Sequence, residues 1–350
     1  MSIENENIKC TELSELGEFG LIERLTKGLK PQNQSTIKGV GDDAAVMQYD
    51  NHSLILLTND ILIEGVHFDL TYTPLKHLGY KAGVVNFSDI YAMNGIPRQL
   101  VVGLGVSNRF SVEALDEFYE GLRLACQHYG VDLVGGDTSS SKAGMFISIS
   151  VVGEVSKDEA VYRNGAQLND LICVTGDLGA AYMGLLLLER EKQVYLANPN
   201  MQPELEGNDY VLERQLKPEA RKDIIRLLHE ANIQPTAMID ISDGLASDIL
   251  HICEQSNKGC VIYEDKIPID PATLILCDGI KIIPTIAALH GGEDYDLLFT
   301  VSLSEYSKIE EIQDISLIGH ITDPLEGCQL ITNDGKQIAL QAQGWNHLRK

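Results

Sequence analysis

Residues 237–255, AMIDISDGLASDILHICEQ, decide the fold of this chain. A short apolar run, Met238 to Ile241, is broken by Asp240 and runs through Ser242-Asp243-Gly244 into a segment with helical character. A strand feeding a helix in this way is the unit of a mixed α/β fold, and Ser242 or Asp243 is placed to cap the helix's exposed N–H groups. Working outward, the pattern predicts strands at Leu54–Thr58, Val101–Val106, Met145–Val155 and Leu171–Thr175. It predicts helices at Leu75–Met93, Val112–Tyr129, Ala180–Glu189 and Pro218–Glu230. The polar stretch that follows Val155 marks a domain boundary near Ser156. Arg190–Asn208 has no clear periodicity and reads as a surface excursion.

The 350 residues carry 27 Lys and Arg against 51 Asp and Glu, a formal charge of −24. With 44% hydrophobic residues there is material for one or two cores. Such an excess of acid excludes direct neutralisation of nucleic-acid phosphates or an anionic membrane, because both need clustered cations. An anionic ligand would therefore arrive with cations of its own. The seven cysteines are odd in number, scattered and without a CxxC pair, which disfavours a zinc knuckle or a disulfide framework. They read as reduced, buried thiols. The acidic start, MSIENENIKC, lacks the basic and apolar parts of a signal peptide, so a cytoplasmic protein is expected.

Six short aspartate-bearing segments each adjoin an apolar strand or a helix start: Gly41-Asp42-Asp43, Thr58-Asn59-Asp60, Asn86 to Asp89, Gly135-Gly136-Asp137-Thr138, Asp240 to Gly244 and Gly292-Glu293-Asp294. Taken singly, each aspartate fits a cap or a turn. Together, carboxylates at neighbouring strand ends can converge into a hard-oxygen site suited to Mg²⁺. Alternation along a strand puts Thr58 and Asp60 on one face and Asn59 on the other, and directs only one of Asp42 and Asp43 to a given site. On a helix, Asn86 and Asp89 share a side. Gly135-Gly136 would let backbone approach a phosphate closely. No GxxxxGK[ST], HRD with DFG, GxGxxG, HExxH or GxSxG motif is present.

In this order the segments resemble the thiamine-monophosphate kinase family of the aminoimidazole-ribonucleotide-synthetase-like superfamily. The resemblance rests on Gly17-Glu18-Phe19, Gly41 to Ala45, Asp60 with Glu64 to Phe68, Lys81 to Asp89, Gly135 to Thr138, Arg163 to Ala166, Asp240 to Leu245 and Gly291 to Tyr295. It implies an α/β fold of two domains, 1–156 and 157–350, each a mixed sheet flanked by helices. The first would bind ATP and metal and form a homodimer; the second would complete the substrate site. The implied reaction moves the γ-phosphoryl group of ATP to the phosphate of thiamine monophosphate. Several Mg²⁺ ions, with K⁺ as an optional addition, would be held by Asp43, Thr58, Asn59, Asp60, Asp89, Asp137, Asp240 and Asp243. Gly136, Asp137, Arg163 and Ser242 would meet ATP, and His67, Glu293 and Trp345 the thiamine substrate. Asn59 stands where many relatives carry Thr, which leaves its backbone carbonyl to serve. The 190–208 excursion is longer than the family's usual connection.

The acceptor in such a reaction is already an oxyanion, so no general base is required. His67 then reads as an orienting donor, Arg163 as a planar fork for phosphate, and Trp345 as an aromatic face for the cationic thiazolium. The rival readings are an ATP-using superfamily member acting on an amide or selenide, which would lack the EGVHF and GGEDY segments, and a non-catalytic cation-binding protein, which would need the absent DxDxDG spacing.

Overall fold

The structure, a computed structural model, describes residues 13–342. After helix α1 (Leu13–Thr26) the chain forms β1 (Thr36–Lys38), β2 (Ala45–Met47), β3 (Ser53–Ile63), α2 (Leu75–Ala92), β4 (Ile96–Val106), α3 (Val112–Tyr129), β5 (Asp132–Ser140) and β6 (Phe146–Ser156). These strands make one sheet in the order β1-β2-β3-β6-β4-β5. Only β4 and β5 pair in parallel, as the α3 crossover between them requires. Helix α3 starts where Ser111 accepts the Ala114 N–H (3.2 Å) and ends at Gly130 in the left-handed region.

The second part runs β7 (Leu171–Thr175), α4 (Ala180–Ala197), α5 (Asp209–Leu216), α6 (Lys222–Glu230), β8 (Ala237–Asp240), α7 (Leu245–Ser256), β9 (Gly259–Tyr263), α8 (Pro271–Ile280), α9 (Pro284–His290), β10 (Leu297–Val301), β11 (Ile315–Thr322), β12 (Cys328–Ile331) and β13 (Gln337–Ala339). Its seven strands are ordered β13-β12-β9-β11-β7-β10-β8, with β9 and β12 parallel. Two mixed sheets flanked by helices are therefore present. One apolar cluster runs through both parts: Ile147 and Val151 of the first belong to it with Cys173, Met238 and Phe299 of the second. No single helix among the described residues is long and apolar enough to cross a membrane.

Helix α2 lies at the centre and is buried almost all round. Its contact with α3 is so close that a Cβ on Gly79 would sit 1.9 Å from the Phe118 carbonyl oxygen, and one on Gly121 1.8 Å from that of Lys76. Only hydrogen fits at either crossing point.

Two expectations need correction. The supposed excursion is helical as far as Ala197, because Glu, Arg, Lys and Gln favour helix even where most sides face water and no apolar stripe develops. The bend beyond it is tied back by Glu191, which accepts the Glu204 N–H at 2.9 Å. The helix expected from Pro218 begins instead at Lys222. Just before it, Arg221 turns inward to Asp296 (2.6 Å) and Asp314 (2.7 Å).

Candidate active site

A polar side chain on a buried helix needs a partner, and several of those on α2 find theirs on the elements packed around it. Asn86 accepts the Asp60 N–H of β3 (3.0 Å) and donates to the Ala82 carbonyl (3.1 Å). Ser88 donates to Asp240 at the end of β8 (2.6 Å). Asp89 accepts the hydroxyl of Thr58 on β3. Lys81 donates to the Gln215 carbonyl (3.0 Å) and to Glu293 (3.1 Å).

Around this helix the carboxylates converge. Asp43, Asp89 and Asp240 bring oxygens within 4.8 Å of one another. Asp60, on the inner face of β3, is near enough for charges to couple. Burial, then Asp43, pushes Asp60 up to about 6. Burial, then Asp43, raises Asp240 to about 7, against the opposing pull of Ser88 and Arg163. Asp89 lies well above the usual carboxylate range through burial and through Asp60, Asp240 and Asp43.

Asp42 and Asp43 sit in a bend before β2, not in a strand, so both turn towards Arg163. Asp42 accepts the Arg163 backbone N–H (2.8 Å) and pairs with Lys38. Asp43 takes the guanidinium from Nη2 (2.6 Å) and Nε (3.2 Å). Burial alone would weaken the charge on Arg163, but Asp43, Asp240 and Asp248 outweigh it and hold the pKa up.

The Asp240–Gly244 loop is zipped to the Gly291–Tyr295 loop through backbone. The Glu293 N–H donates to the Ser242 carbonyl (2.8 Å) and the Tyr295 N–H to that of Ile241 (2.9 Å). Gly292 has φ +70, and a Cβ there would meet the Ser242 oxygen at 2.6 Å, so glycine is required by both conformation and space. The expected cap by Ser242 or Asp243 is not formed. Gly244 is the N-cap of α7, without a side-chain cap bond, and Asp248 reaches back to its N–H at 3.1 Å. That arrangement leaves Ser242 and Asp243 on the bend itself.

The other expected residues are placed as follows. His67 accepts the Ile63 N–H on Nδ1 (3.0 Å). Glu293, with φ +57, is held by Lys81 and by Gln215 (2.9 Å). Asn59 points to the opposite face of β3 from the carboxylates and accepts the hydroxyls of Ser148 (3.1 Å) and Ser150 (2.7 Å). Gly136 and Asp137 lie exposed on edge strand β5, three strands from β3 and thus about 14 Å away. There Asp137 accepts the Thr138 N–H (2.9 Å), and Gly136 allows close approach to the Val102 carbonyl oxygen, 2.1 Å from where a Cβ would be. Trp345 lies outside the described residues.

Reading the sequence missed Ser88, Lys81's role as a buried cation, and the layer beneath the Gly291–Tyr295 loop. In that layer Asp296 accepts from Thr175 (2.6 Å), Arg214 (2.7 Å) and Arg221 (2.6 Å), while Asp294 accepts the Gly179 N–H (2.9 Å). The sequence signal was present in the alternating acids of Glu293-Asp294-Tyr295-Asp296.

The donor set fits hard divalent cations. Its atoms are carboxylate oxygens, burial and then mutual repulsion raise the pKa values of Asp60, Asp89 and Asp240, and Arg163 offsets part of that charge. Such a site can gather phosphate groups that the protein's own charge would repel.

Comparison with known proteins agrees with this geometry. Residues 41–155 match the family described as AIR synthase related protein, N-terminal domain. Thiamine-monophosphate kinase of Bacillus subtilis (strain 168) is 33% identical over 341 residues, covering 95% of this chain and 100% of that protein. The enzyme of the same name from Aquifex aeolicus (strain VF5) is 36% identical over 336 residues, covering 96% and 99%. The solved structure of AaThiL complexed with AMPPCP and TMP superposes with a TM-score of 0.82 at 34% identity, covering 97% of this chain and 99% of that one. With the fold, the order of the acidic segments and full-length similarity in accord, the chain belongs to the thiamine-monophosphate kinase family.

Proposed function

We propose that this chain is an ATP-dependent kinase that transfers the γ-phosphoryl group of ATP to the phosphate of thiamine monophosphate, giving thiamine diphosphate and ADP. The observation that carries the reading is the meeting of Asp43, Asp89 and Asp240, from three distant stretches of sequence, beside Asp60 and Arg163. The transfer breaks the bond between the γ-phosphorus and its bridging oxygen and forms one to a phosphate oxygen of the acceptor. No protein group has to remove a proton.

In this reading Asp43, Thr58, Asp60, Asp89, Asp240 and Asp243 hold Mg²⁺, which when bound spreads the charge of two polyanions and fixes them in line. Asn59 serves only through its backbone carbonyl, and Asp137 binds at a distance along the sheet. Arg163 and Ser242 orient ATP, with Gly136 and Asp137 completing its contacts. His67 and Glu293 position the thiamine moiety, joined by Trp345. Residues 1–156 then form the ATP- and metal-binding domain and 157–350 the domain that completes the substrate site.

A homodimer through the first sheet is part of the proposal. The face of that sheet away from α2 exposes Leu57, Ile61, Ile63, Val101 and Phe146, an apolar surface suited to a second copy. A cytoplasmic location follows from the need for ATP. Incubation with ATP, Mg²⁺ and thiamine monophosphate, followed by chromatography, should reveal thiamine diphosphate and ADP in equal amounts. Folded protein that yields neither would overturn the reading.

A further inference from the structure

Away from the carboxylates, Cys253, Cys260 and Cys328 bring their sulfurs within 4.8 Å of one another. Three elements supply them. Cys260 and Cys328 are direct partners in the parallel pairing of β9 with β12, so their side chains leave the sheet on the same face. Cys253 belongs to the last turn of α7 and meets them there. Cys253 and Cys260 are buried, Cys328 is half-buried, and the surrounding cluster includes Ile249, Ile252, Ile262 and Leu330.

We propose that these three thiols form a binding site for a soft d¹⁰ cation such as Zn²⁺, with a fourth position open on the solvent side of Cys328. Tetrahedral thiolate coordination at about 2.3 Å separates sulfurs by about 3.8 Å, so sulfurs already within 4.8 Å of one another need to close by about 1 Å at most. Sulfur donors reject Mg²⁺ as firmly as the aspartate oxygens favour it, so the two sites sort hard from soft ions. A cation here also faces the negative end of the α7 dipole.

The site's position indicates its role. Helix α7 begins immediately after the Asp240–Gly244 loop, and Cys253 lies about 12 Å along it at 1.5 Å per residue. A bound ion would fasten the far end of that helix to β9 and β12 without touching the phosphate side. The role is structural, and it is independent of the proposed reaction.

The test uses the full chain, reduced, freed of metal and titrated anaerobically with Co²⁺ and then Zn²⁺. The expected result is a thiolate-to-cobalt charge-transfer band in the near ultraviolet that saturates at one ion per chain and is bleached by Zn²⁺. The band should persist in Cys10→Ser and Asp240→Asn and vanish in Cys328→Ser. Zn²⁺ should raise the urea midpoint of the parent but not of Cys328→Ser. If that variant does not fold, alkylation of the native parent decides: Zn²⁺ should shield the half-buried Cys328 from iodoacetamide. Absence of the band, a band unchanged in Cys328→Ser, recovery of two of the sulfurs as a disulfide, or an unshielded Cys328 would overturn the proposal.

Discussion

Lys81 of α2 and Glu293 of the Gly291–Tyr295 loop meet between the two sheets, Nζ 3.1 Å from Oε2, with the lysine side chain 4% exposed and the glutamate 27%. A buried ammonium without its partner is costly, as is the reverse. Lys81→Met should lower stability by about 1–3 kcal/mol, because Glu293 loses its cation while Gln215 remains. Glu293→Gln should cost at least as much, since it leaves the more deeply buried ammonium of Lys81 with neutral acceptors only. Urea unfolding of the two variants checks the order.

Asp43→Asn and Asp240→Asn each remove a charge from the converging set while keeping an acceptor for Arg163 or Ser88. Each variant should fold and lose turnover by about 100-fold or more, a loss of at least about 2.7 kcal/mol in transition-state stabilisation. Mg²⁺ should raise the melting temperature of the parent and shift these variants less. Rates near those of the parent in both would remove the aspartates from the site.

Asp294 provides a pH signature outside the proposed ligand set. Burial pushes it up to about 7, against the opposing pull of Arg214 and the Gly179 N–H. An acid whose pKa rises on folding binds its proton more tightly in the folded state. Its contribution to stability is present at low pH and is lost as pH climbs from about 4 to about 7. Asp294→Asn should therefore match the parent near pH 4 and exceed it at pH 8, by up to about 4 kcal/mol. Denaturation midpoints across that range test the sign.

Gly79→Ala and Gly121→Ala each drive a methyl group into a backbone carbonyl that cannot rotate aside. A loss of at least about 3 kcal/mol is expected for each. Thermal melts should show the loss, and Gly28→Ala, at a position with open space but φ +85, should cost far less.

Ile61 is 44% exposed on the outer face of the first sheet. If that face joins two copies, Ile61→Lys should convert a dimer to a monomer in light scattering while leaving the circular dichroism unchanged. A parent that is already monomeric would refute the dimer.

Local pattern carried the reading wherever the decisive contacts were local. The strand at Leu171–Thr175 has the expected bounds, and Thr58 and Asp60 share the expected inner face because alternation is a property of the strand alone. The meeting of Asp43, Asp89 and Asp240 was legible only as a possibility, since it needs the order in which strands pair. That same order carries Asp137 to the sheet edge, which no periodicity could reveal. The three-thiol group was illegible for a similar reason: its members are spread from 253 to 328 and meet through a parallel pairing with no signature in spacing. Lys81 gave no hint of burial because its neighbours Tyr80 and Ala82 look like any helix, and its partners, the Gln215 carbonyl of α5 and Glu293, lie more than 130 residues further along the chain.

The apolar cluster that includes Ile147 and Val151 along with Met238 and Phe299 constrains how ligands come and go. Halves that share one interior cannot gape like a clamshell without wetting it. Entry and exit must therefore be managed by small excursions of the peripheral loops, and on heating the polypeptide should melt in one transition rather than lobe by lobe.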